Sequence, residues 1–250
     1  MNGNKLKKSI EKLGFIEKDN NSYEININGY IIYINLCTEN EQITYSNIDY
    51  GEKIKVEHGG ITNFFKQESL VQLECVIRLL KKGYKPEEIE LEKTYRLGHK
   101  DKGRLDILIK KDNVAWCLIE CKTFATEYYD EIKRMEENGS QLFSYYAQDR
   151  TPILMGLYTS DIYNENENIM FYQISTNKLD KVGSVKDIFK SWDKNHVEIG
   201  IFNDNTAPYE FDDFNSIFGI SIIPSTLYPC IVFSSNCCFV CRMYFHRGKE

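Results

Sequence analysis

The stretch from Gly103 to Lys122 constrains the fold more than any other part of the chain. Two runs rich in Leu, Ile and Val flank Lys111-Asp112-Asn113, which is the pattern of two short strands joined by a tight turn. Three charged groups interrupt that apolar pair: Asp106 in the first strand, and Glu120 and Lys122 near the end of the second. Strand side chains alternate faces, so Glu120 and Lys122 project from the same side. With the turn centred on Asn113, Asp106 falls opposite Glu120, since each is seven residues from the centre. Directly opposed carboxylates repel. A divalent cation held by oxygen ligands converts that penalty into a binding site. A lysine beside such an ion is placed to orient or deprotonate a water, or to meet a phosphate oxygen.

The net charge of −6 argues against a global electrostatic footprint for nucleic acid. The local distribution is different. Between Arg96 and Asp112 the bases are Arg96, His99, Lys100, Lys102, Arg104, Lys110 and Lys111, against Asp101, Asp106 and Asp112. An acidic protein can carry a basic rim around one site in this way. Taken singly, each of these lysines is better read as solvating a loop or a hairpin turn. At 250 residues the chain has room for one large domain or one domain with small additions. No apolar segment follows Met1–Lys8, so a secretory signal is not expected. Cys37, Cys75, Cys117 and Cys121 lie in apolar or strand-like contexts, as reduced thiols of a cytoplasmic protein would.

Three regions are expected. Residues 1–60 read as a β-rich extension: a helix over Lys5–Leu13, then strands Tyr23–Ile27, Tyr30–Leu36 and Gln42–Ile48. Residues 61–175 read as the core. A helix over Gln67–Lys82 shows an apolar stripe of Leu70, Leu73, Val76, Ile77 and Leu80, ended by Gly83. Strands follow at Ile89–Leu97, Arg104–Lys110 and Val114–Cys121. Helices at Thr126–Asn138 and Ser140–Gln148 are broken at Gly139, and strands at Pro152–Tyr158 and Ile169–Ile174 complete the set. The order predicts a mixed α/β sheet with helices packed on it. Residues 176–250 are less defined, with a short helix at Val185–Trp192. Ser216–Cys241 has no charged residue, but Pro224, Pro229 and Asn236 argue against a membrane-spanning helix.

The pattern Asp106 … Glu120-x-Lys122 on adjacent strands resembles the PD-(D/E)XK nuclease superfamily. It is most similar to the nuclease domain of type I restriction enzyme R subunits and to the N-terminal region of fused restriction–modification proteins that carry an adenine methylase. The similarity is carried by Glu68–Tyr84, Ile89–Gly98, Arg104–Ile109, Leu118–Thr123 and Gln141–Tyr145, within roughly residues 50 to 175. It implies a restriction-endonuclease-like αβββαβ core and a Mg²⁺-dependent DNA endonuclease, with Mn²⁺ able to substitute. Asp106, Glu120 and the carbonyl of Cys121 would bind the metal, and Lys122 would be the catalytic lysine. Gln141 and Tyr145 match the Gln-x-x-x-Tyr motif placed near the lysine and the DNA backbone; a spacing of four puts both on one helix face. Glu74 matches an acidic auxiliary position on the first helix. The family's proline before the first acid is Leu105 here. DNA and the methylase or specificity subunits of a restriction–modification system are the implied partners, in the cytoplasm and off the membrane.

Plainer readings compete at each position. Glu74 can be a solvated acid on the helix flank, and Gln141 and Tyr145 ordinary packing residues. Asp106 and Glu120 can pair with Arg104 and Lys122 in a metal-free network. The domain as a whole can be a silent nuclease-like module that binds DNA or protein. Cys237, Cys238 and Cys241, with Cys230 and His246, could hold zinc, but a single cluster without a second half is weak evidence. His99 suits a phosphate contact or a solvated position better than a general base. The chain has no Gly-x-x-x-x-Gly-Lys loop and no Asn-Pro-Pro-aromatic motif, which argues against a built-in motor or methylase.

Overall fold

A computed structural model of the chain describes residues 1–19, 21–96, 102–165 and 168–194, together with the strands at 198–200, 230–234 and 237–241. Helix α1 (Gly3–Leu13) starts where the Asn2 side chain accepts the Lys5 amide, and ends at Gly14, whose φ of 102° closes the last turn. Its buried Leu6, Ile10 and Leu13 join the core shared with an antiparallel sheet of β1 (Ile16–Asp19), β2 (Ser22–Ile27), β3 (Tyr30–Glu39) and β4 (Gln42–Asp49), paired in chain order. Tyr23, Ile25 and Ile27 alternate inward with Ile32, Ile34 and Leu36, as a sheet with one wet face requires.

The second sheet has seven strands: β5 (Lys55–Val56), β6 (Ile89–Arg96), β7 (Lys102–Lys111), β8 (Val114–Cys121), β9 (Leu154–Ser160), β10 (Ile169–Ser175) and β11 (Glu198–Gly200). They lie in the order β11-β10-β9-β8-β7-β6-β5. Pairs β8/β9 and β5/β6 are parallel, and the others are antiparallel. A parallel pair needs a crossover, which α3 (Thr126–Asn138) and α4 (Ser140–Gln148) supply between β8 and β9. They break at Gly139, where φ is 83°.

Two cores flank this sheet. Helix α2 (Gln67–Lys81), the N-terminal sheet and residues such as Ile107, Cys117, Ile119 and Cys121 form one. On the other side Leu105, Leu108 and Leu118 pack with α3, α4 and α5 (Val185–Ser191). The chain is therefore a mixed α/β protein. The expected helices and strands are present to within about two residues at most ends; β1 and β5 were too short to show a period. Strand β5 lies before residue 60 yet joins the seven-stranded sheet, and β11 lies after 175 and joins it too. The N-terminal region shares one continuous core with α2 and the sheet.

Among the described residues no helix is long and apolar enough to cross a membrane. Strands β12 (Cys230–Ser234) and β13 (Cys237–Cys241) pair as a ribbon, with Cys230 opposite Cys241. His99, Lys100, His246 and residues 216–229 lie outside the described residues, and so do the side chains of the C-terminal cysteines.

Candidate active site

The turn between β7 and β8 is Asp112-Asn113, with φ of 51° and 64°, closed by the pair Lys111↔Val114. Two positive φ values in a two-residue loop match the twist of the strands. A bulge between Ile109 and Lys110 then shifts the register by one, giving Ile109↔Cys117 and Ile107↔Ile119. That pairing is symmetric about Asn113, so the acids approach one another as a simple centring implies.

At the acids the ladder changes character. Its last pair is Ile107↔Ile119. Beyond it the Cys121 amide donates to Asp106 Oδ2 at 2.6 Å, so a carboxylate replaces a main-chain acceptor. Leu105 and Ile107, two residues apart, belong to opposite cores. A regular strand would put both on one face. Strand β7 thus twists through Asp106, and the side chain turns into the gap that opens.

On β6 the register Leu91↔Ile107 and Lys93↔Leu105 places Glu92 beside Asp106, with a φ of 55° at Glu92. These three strands, the first half of α2, Gly60, Ile61 and Gln141 line a half-open cavity of about 260 Å³. Asp106, Glu120, Lys122 and Gln141 line it, joined by Glu68, Gln72, Glu92, Lys66 and Arg104. Four acids and three bases meet on this lining.

Lys122 uses all three of its N–H donors. It bonds Glu120 Oε1 at 2.9 Å, the Cys121 carbonyl at 2.9 Å and Glu68 Oε1 at 3.2 Å. Burial works against its charge, but Glu120, Asp106 and Glu68 outweigh that and hold it well above the usual lysine range. Glu120 is buried, and desolvation pushes it up to about 7 despite the lysine. Desolvation, then the Glu120 charge, raises Asp106 well above the carboxylate range. Glu120 Oε2 is buried without a hydrogen-bond partner among the described residues.

Oxygen donors of this kind suit a hard cation. Among the described residues no three His, Cys, Asp or Glu side chains cluster to hold a metal by themselves. Mg²⁺ does not need three, since it keeps several waters and takes one or two carboxylates. The unpaired Glu120 Oε2 and the raised carboxyls make Asp106 and Glu120 a fitting pair for such an ion. The Cys121 carbonyl, expected as a third ligand, is held by the Lys122 ammonium in this arrangement.

The remaining expected residues divide. Gln141 lines the cavity, while Tyr145 is fully buried behind it. The Tyr145 hydroxyl lies 3.1 Å from the Arg104 carbonyl and 2.9 Å from the Gln141 amide. A phenol has one proton, and the carbonyl can only accept. Gln141 presents its Oε1, so the single phenol proton serves two acceptors, Gln141 Oε1 and the Arg104 carbonyl. Glu74 stands elsewhere: it bonds Arg78 at 2.7 Å and the Tyr158 hydroxyl, and it is not part of the cavity wall. Glu68, one and a half turns earlier on α2, is the helix acid that reaches Lys122. Arg104 pairs with Glu92 at 3.0 Å and Lys110 with Glu90, so this part of the basic rim is neutralised by acids of β6.

No protein-family model matches the chain, and no curated protein matches it.

Proposed function

We propose that the chain is a metal-dependent deoxyribonuclease with a restriction-endonuclease-like αβββαβ core, formed by α2, β6 to β8, α3/α4 and β9. The observation that carries this reading is the convergence of Asp106, Glu120 and Lys122 on one cavity, with an ammonium 2.9 Å from one of two carboxylates that cannot both ionise cheaply. A Mg²⁺ or Mn²⁺ ion held by Asp106 and Glu120 would supply Lewis-acid polarisation of a phosphodiester oxygen and a lowered pKa for a bound water. The protein's own part is to preorganise charge. Lys122 is fixed by Glu68 and Glu120, where it can orient a water and neutralise the charge developing on phosphorus. The Tyr145 hydroxyl fixes the carbonyl of Arg104, whose guanidinium is half-exposed at the wall of the cavity. Ionised Asp106 and Glu120 would repel a phosphodiester, and a cation held by them would reverse that. On this reading the chain works on DNA in the cytoplasm, within a restriction–modification assembly whose methylase and specificity functions lie in other subunits or domains.

Supercoiled-plasmid nicking tests it. Wild type converts plasmid to open circle in Mg²⁺ or Mn²⁺, and Asp106→Asn and Lys122→Ala each lose roughly a hundredfold or more. Equal nicking by all three proteins rejects the assignment.

One observation favours a second reading, that of a silent module that binds DNA or protein. Lys122 already occupies oxygens that a cation would use. Calorimetry separates the two: a silent module takes up no Mn²⁺ and binds its partner equally well in chelator.

A further inference from the structure

Gln72 lies in the middle of α2 and is fully buried. Val71 and Leu73 on either side are buried as well, so the side chain is braced by the core. Its Nε2 donates to the main-chain carbonyl of Asp106 at 2.7 Å. A carbonyl oxygen can only accept, so the NH₂ end must face Asp106 and the amide cannot be turned round. The other end, Oε1, is buried with no hydrogen-bond partner among the described residues, and Gln72 lines the same cavity as Glu120 and Lys122. Leaving a buried carbonyl oxygen unpaired costs about 1–3 kcal/mol. Helix α2 keeps that penalty directly behind the first carboxylate of the site.

An acceptor without charge is satisfied only by a donor or a cation. The Lys122 ammonium has already spent its three N–H groups. As the side chains stand, neither Arg104 nor Lys66 reaches Gln72 Oε1, which has no partner among the described residues. A phosphodiester offers acceptors only. Water is the small donor that remains, and it is also the nucleophile of a hydrolysis.

We propose that Gln72 is a catalytic residue whose Oε1 takes a hydrogen bond from the water that attacks the scissile phosphorus. This rests on the nuclease reading above and adds a residue to it. The water oxygen forms the new P–O bond while the bond from phosphorus to the leaving sugar oxygen breaks. The attacking water gives one proton to solvent, and the leaving oxygen takes one from solvent. Gln72 neither gives nor takes a proton. By holding one O–H, it aims the lone pair of the water at phosphorus.

Steady-state cleavage of a DNA duplex in Mg²⁺ by wild type and Gln72→Leu tests this. Leucine fills nearly the same volume without an acceptor. The expected result is a kcat lower by roughly a hundredfold for Gln72→Leu, the cost of a misaligned reactant. KM and the Mg²⁺ concentration for half-activity stay within about twofold, since the Asp106 and Glu120 carboxylates are left in place. Should the leucine variant fold poorly, Gln72→Met carries the same expectation with a more adaptable side chain.

An unchanged kcat overturns the proposal. So does a loss of rate that tracks loss of thermal stability and of Mg²⁺ affinity, because then the side chain merely braces β7. A wild type that cleaves beside a fully active Gln72→Leu sinks the role of Gln72 alone. A wild type that cleaves nothing sinks the nuclease reading, and this role with it.

Discussion

Replacing Glu120 by glutamine should make the metal-free protein more stable at alkaline pH and leave it unchanged in mild acid. In the fold this carboxyl ionises near 7 rather than at the ordinary 4.5, because it is buried, and Lys122 only partly compensates. Below the unfolded value both states are protonated and the group contributes nothing. Between 4.5 and 7 the folded state binds the proton more tightly, so stability falls as pH rises, and above 7 the loss is complete. A difference of this size corresponds to about 3 kcal/mol. Glutamine keeps an acceptor for Lys122 and removes the charge. For a chain of this length that gain corresponds to roughly 6–12 °C in melting temperature. The assay is thermal unfolding of wild type and Glu120→Gln in chelator at pH 4 and pH 8.5, repeated with Mg²⁺. In chelator the variant should melt higher at pH 8.5 and equally at pH 4. Added Mg²⁺ should raise wild type and leave the variant unmoved. A variant that is less stable at pH 8.5, or a gap independent of pH, refutes the reasoning and favours a structural ion pair.

Glu74→Ala should destabilise the fold by about 1–3 kcal/mol in urea unfolding, since it removes the carboxylate that the half-buried Arg78 and the buried Tyr158 hydroxyl share. Specific cleavage activity of the folded fraction should be unchanged. Ala125 sits just after the catalytic strand with a φ of 72°, so Ala125→Gly should raise stability by about 1 kcal/mol on the same assay; a loss would show that the alanine is not strained. Tyr145→Phe removes the donor that fixes the Arg104 carbonyl and should cost about 1–2 kcal/mol in unfolding, together with a measurable loss of DNA affinity.

Local signals made most of the framework legible. The stripe of α2, the alternation of β2 and β3 and the glycine between α3 and α4 each act within a few residues, and each marks an element that is present. The hairpin register came out through two offsetting irregularities, a two-residue turn and a bulge, neither of which a symmetric centring contains. What the sequence withheld depends on contacts between distant strands. Glu92 meets Arg104 because β6 pairs with β7 in one particular register, and no local period encodes that register. The choice of Glu68 over Glu74 was partly readable. Glu74 and Arg78 are four apart on a helix, a spacing at which opposite charges pair and remove each other from other work. Glu68 has no such partner downstream on its face. Gln72 carries no charge to draw attention, and only its burial and fixed amide set it apart.

Crystals of the wild-type protein grown with Mn²⁺ test the centre of the site most directly, because anomalous scattering locates the ion without assumption. An ion within roughly 2.5 Å of both Asp106 and Glu120 carboxylates, the range for hard cations and oxygen, is the expected result. With it the Lys122 ammonium should let go of the Cys121 carbonyl. A cavity without manganese at millimolar concentration, and with Lys122 still bound to Glu120, Glu68 and that carbonyl, contradicts it.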